Sequence, residues 1–269
     1  IAVLTYYATH PQSYYRTGKA NPDFPGLARN HRQQATGVPH IHFNGAGGNI
    51  GAGKYNDGAH ENRQVLADRM AAGMAEAWGR TKKIPVSSAD VEWNSVAVAL
   101  PPSPFLDQDK MLADLQNVAL PVQKRVAAAC SLAWLRRCQA GEKIDIACLT
   151  LGSSRVLHMP GELFVEYQLA AQQMRPDLFV AMAAYGEYAP WYIGTEIAYS
   201  QGGYETGPDA SFVAPAVEKV LVDLVAESLR ISLMDQPEAE GVVREILSRH
   251  LVQLAEMQSY AKLRKLNST

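Results

Sequence analysis

The chain has 269 residues, 47% hydrophobic and 19% charged, enough for a sizeable core, which excludes a disordered tail or a disulfide mini-protein. With 25 Lys and Arg against 27 Asp and Glu the net charge is -2, so no global basic field exists to grip phosphate polymers, and nucleic acid is not expected as a partner. The longest uncharged apolar run, Val126 to Leu135, is too short to cross a bilayer, and no transmembrane segment is expected.

Residues 1–7 read as a strand that begins without an initiator Met or a leader, which points to a piece of a longer polypeptide. Asp23 and Pro25 have N-cap and first-turn chemistry for a short helix near 24–35, and Val38 to Asn44 is a second strand. Six glycines between Gly45 and Gly58 mark a loop. Asn62 to Trp78 has helical apolar spacing and is stopped by Pro85. Val91 to Leu100 alternates as a partly buried strand, and helices follow at 107–117 and 121–138. Ile144 to Leu151 and Arg155 to Met159 are strands too close together for a crossover helix, so they pair antiparallel. Leu163 to Met174 reads as a helix, Leu178 to Tyr185 as a strand, and Tyr185 to Pro208 as an aromatic loop. Helices at 209–231 and 238–264 close the chain. Interleaved strands and helices give an α/β class (mixed α+β), with layered mixed sheets flanked by helices. The division expected is one main domain over 1–235 and a helical extension over 236–269.

Three places present polar chemistry at strand ends, where layered sheets tend to build sites. His10 follows an apolar strand and precedes Pro11, which ends that strand and leaves the imidazole at an edge. Gly48 to Lys54 spells G-x-x-x-x-G-K, but Tyr55 replaces the magnesium-binding hydroxyl and the helix starts too late for a phosphate loop. The glycines then serve close backbone approach or substrate binding. Glu162 heads a helix behind Pro160-Gly161, where the dipole favours a carboxylate, and Tyr188 lies in the aromatic loop with Tyr185, Tyr192, Tyr199 and Tyr204. Cys130, Cys138 and Cys148 have no metal-binding spacing and read as buried thiols.

Taken in order, these segments resemble the neutral/alkaline non-lysosomal ceramidases, zinc-dependent amidases that cleave the N-acyl bond of the sphingolipid ceramide. The resemblance rests on Tyr6-Tyr7-Ala8-Thr9-His10-Pro11-Gln12-Ser13, Asp23-Phe24-Pro25-Gly26-Leu27-Ala28, Gly48-Asn49-Ile50, Met159-Pro160-Gly161-Glu162, Tyr185-Gly186-Glu187-Tyr188 and Tyr199 to Glu205. It implies a ceramidase-like catalytic domain in which His10, Glu162 and Tyr188 bind Zn2+ and Tyr204 lies beside the scissile carbonyl. The family's serine falls on Gly51, so the expected nucleophile is a zinc-activated water, with Asn49 and Tyr204 stabilising the oxyanion. Gly48, Gly51 and Lys54 are the expected substrate-binding residues, Lys54 for an anionic group. The family's other zinc histidine precedes the aromatic strand, which implies that a missing N-terminal half supplies it; His40, His42 and His60 are candidates within this chain. The substrate is a lipid or shorter amide, and the alternative is a non-catalytic binding or structural module lacking the serine.

Overall fold

The computed structural model describes residues 2–14, 17–53, 56–187 and 189–229. Lys54, Tyr188, the helix expected at 238–264 and the extension over 236–269 lie outside the described residues. The fold is mixed α+β. A four-stranded sheet runs in the order β3 (Val91–Val98), β4 (Ile144–Leu151), β5 (Ser154–His158), β7 (Phe179–Ala183). β3, β4 and β5 pair antiparallel and β5 pairs parallel with β7. The short 151–154 connection therefore makes the antiparallel hairpin that its length requires.

Alternation along these strands separates two faces. Ile146, Cys148, Leu157, Val180 and Met182 point into the main core, where Leu221, Leu224 and Val225 of α7 (Val217–Ser228) and Tyr167 and Ala171 of α5 (Val165–Met174) meet them. Val91, Trp93 and Phe179 are exposed on the opposite face. Leu157 is fully buried, so Leu157→Ala is expected to cost about 3 kcal/mol and lower the melting temperature by about 6–12 °C in a thermal scan.

A second unit positions the site. Strand β1 (Val3–Tyr7), helix α1 (Asp23–Thr36) and strand β2 (His40–Asn44) form a β-α-β crossover with the strands parallel, Val3 opposite His40 and Tyr7 opposite Asn44. Helix α2 (Glu61–Arg80) packs on α1 through Phe24, Leu66 and Ala67. The Asn44 carbonyl accepts from the Ala184 amide at 3.0 Å, so the ends of β2 and β7 lie side by side. Helices α3 (Gln108–Gln116) and α4 (Val122–Gln139) pair through Met111, Leu132 and Leu135. Among the described residues no helix is long and apolar enough to cross a membrane.

Three expectations are corrected. The helix expected from Leu163 starts at Val165, because Glu162–Leu163 is a short strand, β6. The aromatic loop contains β8 (Tyr192–Ile193) and helix α6 (Glu196–Gln201). The helix expected from 209 starts at Val217; before it Ser211 bridges Trp191 and Val213 bridges Pro102 antiparallel, and Pro215 has no amide to continue a helix through them. The thiols also differ: Cys148 is buried, Cys138 partly so and Cys130 exposed, and none of the three is in a disulfide.

Candidate functional site

β6 and β8 form a parallel two-residue ladder in which Glu162 stands opposite Tyr192. The Glu162 amide donates to the Trp191 carbonyl at 2.8 Å and the Phe164 amide to the Ile193 carbonyl at 3.1 Å, so the carboxylate and the phenol are set side by side by backbone. Gly161, with φ +59°, makes the turn into β6, a left-handed conformation that suits glycine.

His10 reaches the same point from the end of β1. Its amide donates to the Ile50 carbonyl at 2.7 Å, and an isolated parallel bridge joins His10 to Gly51. Beyond it, the buried Asp23 carboxylate accepts from the Ser13 amide at 3.1 Å and hydroxyl at 2.5 Å, and from the Tyr14 amide at 2.8 Å. Those bonds pin the chain that leaves His10.

The ring nitrogens of His10 have opposite surroundings. Nδ1 lies 2.6 Å from the Gly47 carbonyl and 3.3 Å from that of Ile50; carbonyls only accept, so Nδ1 carries a proton. Nε2 lies 2.7 Å from Glu162 Oε2 and 3.2 Å from the Tyr192 hydroxyl. The side chains of His10 and Glu162 are 13% and 8% exposed, so water is largely excluded. Burial opposes a charged imidazole here, but the hydrogen bond and negative charge of Glu162, with the two carbonyls, outweigh it and raise the His10 pKa. Burial, the charge of Glu162 and a hydrogen bond to it push the Tyr192 phenol far above its ordinary value and keep it protonated.

A nitrogen, a carboxylate oxygen and a phenol oxygen therefore converge. A ring whose Nδ1–H is held by backbone carbonyls presents Nε2 as a metal-ligating histidine does, and these donor types suit zinc. Among the described residues no group of three or more His, Cys, Asp or Glu could hold a metal ion; the third polar group at this point is the Tyr192 phenol. Tyr192→Phe keeps the ring that stacks on His10 at 5.8 Å and removes the hydroxyl 3.2 Å from Nε2; the fold is expected to survive, with a melting temperature close to wild type in a thermal scan.

The remaining sequence-derived candidates fall around this point. Tyr204 is 68% exposed with its ring edge-on to Tyr192 at 5.9 Å, at the rim of the site. Asn49 turns its amide to the head of α5: Oδ1 accepts from the Val165 amide at 2.9 Å and Nδ2 donates to Glu166. Gly48 is packed against β6, its amide 2.8 Å from the Leu163 carbonyl, and a Cβ there would lie 2.3 Å from the Glu162 carbonyl. Gly51 is exposed, and a side chain there would meet open space. His40 Nδ1 bonds the Val38 carbonyl at 2.7 Å and His42 Nδ1 meets the Thr5 hydroxyl at 3.1 Å, both on the β2 face towards α1. His60 precedes α2 with its ring 6.1 Å from that of Tyr14. Tyr192, not singled out from sequence as a ligand, emerges only from the β6–β8 pairing; its signal is the aromatic run Trp191-Tyr192-Ile193 between Pro190 and Gly194.

No protein-family model matches the chain, and no curated protein does. Among the solved structures similar in fold are two ceramidases. One is a neutral ceramidase from Pseudomonas aeruginosa, 16% identical with a TM-score of 0.58, the match covering 85% of this chain and 44% of that one. Another is a ceramidase complexed with C2, 15% identical with a TM-score of 0.59, covering 86% of this chain and 46% of that one. The chain thus shares its α+β fold with ceramidases while spanning less than half the length of either.

Proposed function

We propose that the chain carries part of a zinc-dependent hydrolase centre that cleaves N-acyl amide bonds in the manner of a ceramidase. The observation that carries this reading is the convergence of His10 Nε2, Glu162 Oε2 and the Tyr192 hydroxyl, with Nδ1 held by the Gly47 carbonyl. The ceramidase-like fold supports it. A zinc ion held by these three residues would supply Lewis-acid polarisation of an acyl oxygen and acidify a water molecule. Tyr188 remains a further proposed ligand, and a histidine from another polypeptide segment is proposed to complete the donor set.

The chain's own residues bind and orient. His10 and Glu162 sit where water is sparse, so each polar contact with a substrate amide is stronger than in solvent. Tyr192 stacks on His10, fixing the plane of the ring; its phenol, protonated beside Glu162 in the metal-free chain, would give up that proton to serve as a ligand. Tyr204, exposed at the rim, offers a phenol to an acyl oxygen; Gly48, Gly51 and Lys54 are proposed to line the approach of the amide.

Zinc titration of the full chain, followed by assays on N-acyl amides of graded acyl length, tests the reading. Stoichiometric zinc uptake with zinc-dependent hydrolysis is the expected result, and zinc uptake at no site involving His10 would overturn it. The open space at Gly51 favours one second reading, a non-catalytic binding module of the same fold, because a serine hydroxyl would fit there and is lacking. Zinc uptake and amide binding without turnover would mark that module.

A further inference from the structure

We propose that Asn49 and Glu166 are a positioning pair that fixes the ring of His10, an inference that rests on the reading of His10 as a zinc ligand. Asn49 lies between the two peptides, those of Gly47 and Ile50, whose carbonyls face Nδ1. Its side chain runs the other way, to α5. Oδ1 accepts from the Val165 amide at 2.9 Å, satisfying one of the amides that a helix leaves without an internal partner at its start. Nδ2 donates to Glu166 Oε1 at 3.1 Å and Oε2 at 2.8 Å.

Glu166 is 2% exposed, in the first turn of α5, where the helix dipole favours a carboxylate. A buried carboxylate bonded in this way resists movement, since losing its donor leaves a charge without compensation. The anchor therefore holds the loop at Asn49, alongside the Gly48 amide on the Leu163 carbonyl and the His10 amide on the Ile50 carbonyl, and the loop sets both carbonyls. Glu162 stands four residues ahead of Glu166 on the same stretch of chain, in β6 directly before α5. Both sides of the imidazole are consequently referenced to one stretch of chain, β6 and the first turn of α5: Nε2 through Glu162, Nδ1 through Asn49 and the glycine loop. Freed from α5, the loop carbonyls drift, the Nδ1 proton loses its acceptor and Nε2 turns away from the ligand point.

The bond can be reversed chemically, which makes the pair testable. Asn49→Asp sets two carboxylates against each other. Adding Glu166→Gln restores an amide-to-carboxylate bond of opposite polarity, with the aspartate still able to accept from the Val165 amide. Two measurements are made on the full chain: the hydrogen-bonded Nδ1–H signal of His10 in spectra of 15N-histidine-labelled protein, and zinc affinity by calorimetry. The single variant is expected to lose the signal and about 10–100-fold in zinc affinity, and the double variant to recover both. Asn49→Ser, which removes both bonds without adding a charge, is expected to match the loss and serves if N49D does not fold. A folded N49D or N49S with signal and affinity unchanged overturns the proposal, as does a double variant no better than N49D. A wild-type chain that takes up no zinc but loses the Nδ1–H signal in N49D overturns the hydrolase reading and supports the positioning pair. Zinc uptake that neither variant alters does the reverse.

Discussion

His10→Ala is expected to lower zinc affinity at least about 100-fold and to reduce amide hydrolysis to background, with calorimetry and a zinc-dependent assay as the checks. The size of the effect follows from what the ring joins. His10 brings the nitrogen donor to Glu162 and Tyr192 and contacts two carbonyls of the glycine loop through its other nitrogen. Alanine removes the nitrogen and leaves a largely buried carboxylate with one partner fewer, a cost of about 2 kcal/mol in stability. The fold should survive this, because the main core lies among α5, α7 and the four-stranded sheet. A folded H10A chain with wild-type zinc affinity would remove the imidazole from the site and the proposed mechanism with it.

Gly161→Ala is expected to lower stability by about 3 kcal/mol and the melting temperature by about 6–12 °C. Two effects add. Alanine at φ +59° bears a left-handed penalty of about 1–2 kcal/mol, and its Cβ would sit 2.4 Å from the Trp191 carbonyl. That carbonyl accepts the Glu162 amide, so relieving the clash pulls β6 from β8 and parts Glu162 from Tyr192. Zinc affinity should therefore fall together with the melting temperature. A G161A chain that melts as wild type and binds zinc as well would show that the turn is not what holds the ladder.

Long elements were legible in the sequence because their periodicity is their cause. Ile144–Leu151 was expected over the same residues, and the helices near 24–35, 107–117 and 121–138 differ from those observed by a residue or two at their ends, where helices fray. His10 was legible because Pro11 must end its strand, and Glu162 because Pro160-Gly161 must turn ahead of it. Tyr192 was not, since a two-residue strand is too short to show alternation and its pairing is a tertiary fact. Asn49 was read towards chemistry because an amide in a glycine loop suits an oxyanion, whereas its partners, Val165 and Glu166, lie more than a hundred residues on in the chain. Pro215 argues against a helix running on from 209, but an extended bridge to Trp191 and Pro102 leaves no local pattern.

The rung shared by Glu162 and Tyr192 makes their distance along the chain irrelevant to their distance in space. Extra residues inserted at the Arg175–Asp177 corner between α5 and β7 would lengthen the path from one to the other while leaving the rung as it is. A slip of one position would instead face Glu162 with Trp191 or Ile193 and offer an indole or a hydrocarbon where the phenol stands. The length of chain between the two residues is thus a free variable of the fold, and the rung they occupy is a fixed one.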